Sequence, residues 1–391
     1  MRILFTSPAT IQVCDGKWYN NALASVLPRY KHFADEIILA NHVKEMDKPT
    51  ASPISKENVH FVKIEKVNSL AHMFGARRKN RAAIAQALDQ VDACICHIPS
   101  DGGFEVARQA RRRGIPTLMV VIGCPWDALW NYNWKGKLIA PFRWWTMRRT
   151  LHHATHAIYV TRRFLQHRYP TSGHSVGCSD VDIPPLDSAL LTRRLEHLED
   201  HTVLRIATLG GLDVSYKGQH KVLRAMARLR DEGIRLEYHV AGPGSPDNLV
   251  NLARKLGLEA QFISHGSLPH KEVFHLLDET DIYIQPSDVE GLPRSLVEAM
   301  SRACPAIGTT VGGIPELLPK EALFSRHDIA GLTEAIRSLL PADARQRAAE
   351  RNFNVARSYE RATLGQQFND FLHEFIAYAE KNHSLQSLKD K

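Results

Sequence analysis

The sequence predicts an α/β protein made of two doubly wound domains with parallel sheets. Three observations carry this. Short apolar runs alternate with stretches of helical periodicity from residue 2 to residue 122. The alternation breaks at 170–187, a segment rich in Pro, Ser, Gly and Asp, and resumes at Leu204. The length, 391 residues, exceeds what one ordinary core holds and suits two domains.

In chain order, Arg2–Thr6 reads as a first buried strand. A long polar loop over 7–20 follows, in which Asp15-Gly16-Lys17 has turn chemistry. A helix over 22–30, strands at 37–40 and Val59–Ile64, and a basic-faced helix over 76–88 come next. A strand at 93–97, a helix over 103–113 and a strand at 117–122 complete the first alternation. One more strand and helix, 158–160 and 161–169, lead into the linker approach. A charged helix over 190–200 precedes the second pattern, with strands at Leu204–Leu209, Leu236–Ala241, 261–264, Ile282–Gln285 and 305–307. Beyond Ile329 the chain reads as helical to about Lys381. In doubly wound sheets ligands lie beyond the carboxyl ends of the strands, which directs attention to the loops at 7–17, 98–103 and 123–130.

Hydrophobic residues make up 44% and charged residues 24%, so disorder is not expected. The net charge of +8 is unevenly placed: residues 1–200 hold 27 Lys and Arg against 18 Asp and Glu, and the remainder is nearly balanced at 23 against 24. The first half should therefore meet an acidic surface or an anionic acceptor. Six cysteines show no CxxC spacing, and Cys94 and Cys96 fall on one side of a strand as core thiols, which suits a reducing cytoplasm. The apolar run at residues 1–8 is too short for a secretory signal and no run reaches bilayer length. A soluble or peripheral cytoplasmic protein is expected.

The second half is organised around residues 281–316. Ile282–Gln285 ends a buried strand and a loop follows with Glu290 and Gly291 at its tip. Pro293 then sits at the start of a helix whose apolar spacing runs over 295–303. A second short strand closes at Gly308, and Gly312-Gly313 precedes another helix start at Ile314-Pro315-Glu316. Each helix start offers backbone N–H groups and a partial positive charge, which suit a diphosphate. Glu298, on the helix eight positions after Glu290, can accept two hydrogen bonds from a vicinal diol such as a ribose. Glu290 would stand beside whatever is attached at the diphosphate's far end.

This series, E-G-x-P after the strand, E-A-M on the helix and G-G-x-P-E beyond it, resembles the retaining glycosyltransferases of family 4 (glycosyl transferases group 1), which have the GT-B fold. The resemblance covers the second half closely and the first mostly by pattern. It implies two facing Rossmann-like domains, an acceptor domain over 1–195 and a nucleotide-sugar domain over 202–365, with a helix over 366–391 crossing back to the first. It further implies transfer from a nucleotide-diphosphate sugar, a UDP-sugar first, to a saccharide or lipid-phosphate-linked acceptor in surface polysaccharide or glycolipid assembly. Gly210, Gly211, Lys217, His265, Glu290, Gly291, Leu292, Arg294, Ser295 and Glu298 would line the donor site. Glu290 and Lys217 would act on the reacting sugar and the departing phosphate.

The chain departs from the family pattern in two places. Gly211 stands where the family has a phosphate-gripping Arg, leaving Lys217 with more of the charge and Arg294 as a candidate helper. The loop Gly123-Cys124-Pro125-Trp126-Asp127 lacks the family's histidine. Asp127 is the nearest polar equivalent to that catalytic-region histidine and so a catalytic candidate, against the plainer reading of a turn or capping aspartate. Asp15, Gly16 and Lys17 could touch the acceptor or form a surface turn. Asp180-Val181-Asp182 falls in the linker approach and is rejected as a metal site, and no His/Cys/Asp cluster has ligand spacing along the chain. No cofactor or metal is expected, with Lys217 and helix N–H groups taking the place of a cation.

Residues 138–151 mix Phe142, Trp144, Trp145 and Met147 with Arg143, Arg148 and Arg149. That composition suits an anionic membrane or a lipid-phosphate acceptor met by the arginine face. Leu138, Phe142 and Trp145 also form a helical stripe, which reads as partly buried core. Two other functions stay open: a nucleotide-sugar epimerase or hydrolase on the same fold, and a non-enzymatic polyanion binder using the basic runs at 77–81 and 111–113. Nucleic acid is not an expected partner.

Overall fold

The computed structural model describes residues 1–66, 70–198 and 203–389. The expected helix end at Asp200, the domain start at 202 and the last two residues of the tail lie outside them.

The first domain runs β1 (Arg2–Thr6), β2 (Thr10–Cys14), β3 (Lys17–Tyr19), α1 (Asn21–Lys31), β4 (Glu36–Glu45), β5 (Val59–Ile64), α2 (Leu70–Leu88), β6 (Ala93–Ile98) and α3 (Asp101–Arg113). It continues with β7 (Thr117–Val121), α4 (Pro125–Trp130), α5 (Trp134–His152), β8 (His156–Tyr159), α6 (Phe164–Arg168) and β9 (His174–Gly177). Its sheet has the order β3-β2-β4-β1-β6-β7-β8-β9, with β5 on the other side of β4. Among the described strands of this sheet the β2–β3 pair is antiparallel and the others are parallel. Successive residues alternate between the two faces, as the pleat requires. Ile3 and Phe5 face α1 residues Leu23, Leu27 and Tyr30. Leu4 and the buried thiols Cys94 and Cys96 join Ile84, Val106, Met147 and Leu151 on the face covered by α2, α3 and α5.

After α7 (Ser188–His197) the second domain runs β10 (Leu204–Leu209), α8 (Gln219–Asp231), β11 (Leu236–Ala241), α9 (Asp247–Lys255), β12 (Phe262–Ser264), α10 (His270–Asp278), β13 (Ile282–Gln285) and α11 (Arg294–Ser301). It ends with β14 (Ala306–Thr309), α12 (Ile314–Leu317), β15 (Leu323–Phe324), α13 (Ile329–Arg337) and α14 (Ala342–Ala356). The six strands are parallel in the order β12-β11-β10-β13-β14-β15, so the chain switches direction between β10 and β13. Ligands of open parallel sheets sit at such a switch point.

The final helix, α15 (Arg361–Lys389), returns to the first domain. Phe368 packs edge-on to Tyr30, His373 against Phe33, and the Asn382 amide donates to the Gly114 carbonyl at 3.0 Å.

Three expectations need correction. Residues 7–20 are not one loop: β2 and β3 form a ribbon whose turn is Asp15 and Gly16, both at positive φ. Helix α7 does not close the first domain. Its buried Arg194 donates to the carbonyls of Leu277, Thr280 and Arg302, so it is packed into the second. The stripe of Leu138, Phe142 and Trp145 is not core; these side chains are 72%, 62% and 51% exposed, and α5 is instead seated by Gly136, Ala140, Met147 and Leu151.

Candidate active site

The candidate site lies at the carboxyl ends of β10 and β13, where glycines let three segments meet. Gly210 has φ +154°, and a Cβ there would come within 3.3 Å of the Lys217 side chain. Gly218, at φ +80°, lies so close to Pro286 that a Cβ would fall 2.1 Å from its carbonyl oxygen. No residue with a side chain fits such an approach. The loop after β10 is thereby laid on the loop after β13, and Lys217 Nζ donates to Glu290 Oε1 at 2.7 Å. Both side chains are largely buried, at 23% and 10% exposure.

Glu290 is held from beneath by Gln285, a residue the sequence reading did not single out. Its amide nitrogen donates to Ser287 Oγ at 2.9 Å and Glu290 Oε1 at 3.1 Å. Its amide oxygen accepts from the Tyr283 hydroxyl at 3.0 Å and Ser295 Oγ at 3.2 Å. Every hydrogen-bonding atom of the Gln285 amide is thus engaged, which fixes the carboxylate's position. Lys221, also unforeseen, is buried beneath the same loop and donates to Asp288 Oδ1 and the Arg326 carbonyl at 2.8 and 2.9 Å. Burial pulls the Lys221 ammonium below its ordinary range, against the Asp288 charge. Its only sequence signal is a lysine four residues after Lys217.

Ser295, expected to touch the donor, instead props Gln285. Leu292 is buried beside Gly313. Arg294 is exposed on the first turn of α11, whose N-cap, Pro293, supplies no side-chain hydrogen bond. The N-terminal N–H groups of α11 therefore keep their capacity for an anion. Glu298 is one turn further along; burial raises its carboxyl, while the charges of His270 and Arg294 oppose that shift. His270 Nε2 is 3.8 Å from Glu298 Oε1. His265 is exposed in the loop after β12 and shares a 3.0 Å hydrogen bond with His239.

The second helix start behaves otherwise than expected. Gly313 N–H is donated to the Gly291 carbonyl at 2.6 Å and Ile314 N–H to Val311, so the start of α12 is already used. Glu316 reaches into the first domain. Its carboxylate accepts from the backbone N–H of Arg162, Arg163 and Phe164 at 2.6, 3.0 and 2.7 Å, capping α6.

The two domains also meet at the loop that carries Glu290 and Gly291. A Cβ on Gly291 would lie 3.0 Å from the Ile122 carbonyl oxygen and 3.8 Å from Gly123 Cα. The loop after β7 thus abuts Glu290's neighbour. Asp127, four residues on, pairs with Arg168 at 3.0 Å, and Asn131 accepts from Arg326 across the cleft at 3.3 Å. Asp15, Gly16 and Lys17 form the exposed tip of the β2–β3 ribbon at the sheet edge. Asp182 is held by Arg361, with Nη2 to Oδ2 at 3.2 Å.

One set of metal-ligand types does assemble in space among the described residues. His156, His174 and Glu374 bring ligand atoms within 4.8 Å of one another. They lie at the amino ends of β8 and β9 against α15, at the opposite end of the sheet from the candidate site.

Comparison with known proteins agrees with this architecture. Residues 197–354, which contain every donor-site residue named above, match the family described as Glycosyl transferases group 1. Protein CapJ of Staphylococcus aureus is 26% identical over 354 residues, 88% of each chain. The amylovoran biosynthesis glycosyltransferase AmsK of Erwinia amylovora is 32% identical over 138 residues, 34% of this chain and 32% of that one. Among solved structures, HepE from Anabaena in complex with UDP superposes with a TM-score of 0.66 at 14% identity, covering 96% of this chain and 100% of that one. The fold is GT-B, and the matches support a glycosyltransferase with relatives in polysaccharide biosynthesis.

Proposed function

We propose that the protein is a retaining, metal-independent glycosyltransferase that moves a sugar from a nucleotide-diphosphate sugar, UDP-linked, to a saccharide or lipid-phosphate-linked acceptor. The observation that carries this is the convergence of Lys217, Glu290 and the uncapped start of α11 at the switch point of the second sheet. A diphosphate laid over α11 meets its N–H groups and draws the Lys217 ammonium from Glu290. The released carboxylate, held by Gln285, then faces the donor sugar and stabilises positive charge developing at its anomeric carbon. Lys217 and the N–H groups answer the negative charge growing on the departing phosphate, which is electrostatic stabilisation aimed at the transition state. Glu298 takes the ribose hydroxyls. The UDP bound by HepE supports the uridine reading.

Lys217 supplies the positive charge that a divalent cation supplies in other transferases, and the only D-x-D pair near the linker has its second aspartate engaged by Arg361. Activity is therefore expected to survive EDTA. Loss on chelation, with rescue by manganese or magnesium, would overturn the metal-independent reading. The central test incubates radiolabelled UDP-sugars with lipid-linked and soluble saccharide acceptors and reads product anomeric configuration by NMR. Net retention supports the assignment. Inversion refutes the role of Glu290, and donor breakdown indifferent to any acceptor favours a hydrolase.

A further inference from the structure

Helix α5 is anchored by one narrow arc and leaves an opposite arc bare. At 3.6 residues per turn, Trp134, Leu138, Phe142 and Trp145 fall within about 80° of one another, roughly opposite Gly136, Ala140, Met147 and Leu151. All four are more than half exposed, and Tyr132, at 79%, extends the strip through the turn before the helix. An unpaired apolar strip of this length on a charged protein marks an interaction surface.

The charges around the strip indicate what covers it. Helix α5 contains five Lys or Arg and no Asp or Glu. Arg149 lies over the Trp145 ring and Lys135 over the Trp134 ring, at 5.3 and 5.7 Å. Phe142, Trp145 and Arg149 also form one wall of a hollow of about 1070 Å³ bounded by α2, α3 and α5. Its lining carries eight Lys and Arg against three acids. One of those acids, Glu105, is shared by Arg81 and Arg108, and another, Asp101, is taken by Arg143. Arg77, Arg111, Arg112 and Arg149 stand on the same lining.

We infer that this face docks the protein on an anionic lipid bilayer: the aromatic strip enters the interface while the arginine-lined hollow takes lipid phosphate groups. Aromatic and Leu side chains beside Lys and Arg are the composition that holds a helix in the plane of a membrane surface. Anionic headgroups match the cationic excess. A protein partner would equally bury the strip, but it would have to supply a matching acidic rim; a bilayer containing anionic lipid presents that charge everywhere. The helix follows directly on α4, which begins beside the catalytic loop and is tied to the second domain by Asn131 and Arg326. Docking would thus hold the cleft next to the membrane surface. The inference rests on the transferase reading only for its sense as a way to meet a lipid-linked acceptor.

The test is co-sedimentation with extruded vesicles, without donor or acceptor, so its outcome is separate from any activity assay. Vesicles of phosphatidylcholine with 30% phosphatidylglycerol should bind the protein at least tenfold better than phosphatidylcholine alone, with binding falling in 0.5 M salt. The variant W134S/F142S/W145S should lose at least tenfold while keeping its melting temperature, since all three side chains are exposed. If that variant melts early, quenching of wild-type tryptophan emission by brominated lipid reads insertion directly. Wild-type protein left in the supernatant with anionic vesicles, undiminished binding by a folded triple variant, or unquenched emission would overturn the inference. So would a wild-type dimer that the triple variant splits to monomers, since the strip would then be covered by a second copy.

Discussion

At the scale of single residues, the resting Lys217–Glu290 pair makes each side chain the keeper of the other. In the proposed mechanism Lys217→Ala removes the cation that meets the departing phosphate and leaves Glu290 Oε1 with Gln285 as its remaining partner. Turnover should fall by more than the loss of about 3 kcal/mol, a hundredfold or more, seen when one ordinary transition-state contact is removed. Position 211 has room for a compensating cation. Unlike Gly210, Gly211 does not have a positive φ, and a Cβ there would crowd the Val214 methyl at 3.0 Å while Asp213 Oδ1 and the Pro243 carbonyl, at 3.7 and 3.8 Å, stay at ordinary contact distance. Gly211→Arg should therefore fold with a small shift of Val214 and restore part of the turnover in the Lys217→Ala background. A near-silent Lys217→Ala would move the phosphate site elsewhere, to Arg294 first. Glu298→Gln should raise donor KM by roughly five- to thirtyfold, equivalent to about 1–2 kcal/mol, with kcat little changed; an unaltered KM removes it from the ribose.

The element scale shows what the sequence could and could not disclose. The spacing of Glu290, Glu298 and Pro293 marked the loop and helix because strand, glycine and helix-start signals are local. Gln285 and Lys221 escaped notice because their partners arrive from other segments: Ser295 and Glu290 for one, Asp288 and Arg326 for the other. Helix α5 is ambiguous in the sequence for a related reason. Its apolar residues lie on two opposite faces, so periodicity alone cannot say which face meets the core. Glu316 is the clearest case, since a helix-start glutamate reads as local chemistry and here serves another domain. Glu316→Ala leaves the three N–H groups at 162–164 without their acceptor. The expected cost is about 1–2 kcal/mol, read as a lowered Tm, with Glu316→Gln intermediate. An unchanged Tm for the alanine variant would mean that water replaces the cap without loss.

At the scale of the whole molecule, the return of α15 closes the chain over a histidine that the fold keeps neutral. His156 is 1% exposed, and the rings of Phe371, Phe375 and Tyr378 from α15 lie 5.2–5.6 Å away. His174 stacks on it from the neighbouring strand, and Glu374 approaches to 3.8 Å. Burial and the His174 charge pull the His156 imidazolium down to about 4, with Glu374 opposing. His97, beneath Tyr30 and Phe5, is likewise pulled to about 4 by burial. Their ordinary value is about 6.5, so between these values the unfolded chain binds more protons than the folded one. Stability must then fall as pH drops from about 6.5 toward 4. At pH 5 each histidine accounts for about 2 kcal/mol on this basis, from 1.36 kcal/mol per pKa unit. Glu298 acts in the opposite sense, because its raised carboxyl is relieved by protonation as pH falls. Burial lowers His153, His220 and His239 as well, so five histidines stand against one raised carboxyl, and Tm should be distinctly lower at pH 5 than at pH 7.5. His156→Phe removes one proton-uptake site while keeping a ring among the three aromatics, and the slope of stability against pH over that window should shrink. A slope identical to wild type would show that α15 lifts from the sheet before His156 is protonated, and that its neutral state is not what joins the helix to the first domain.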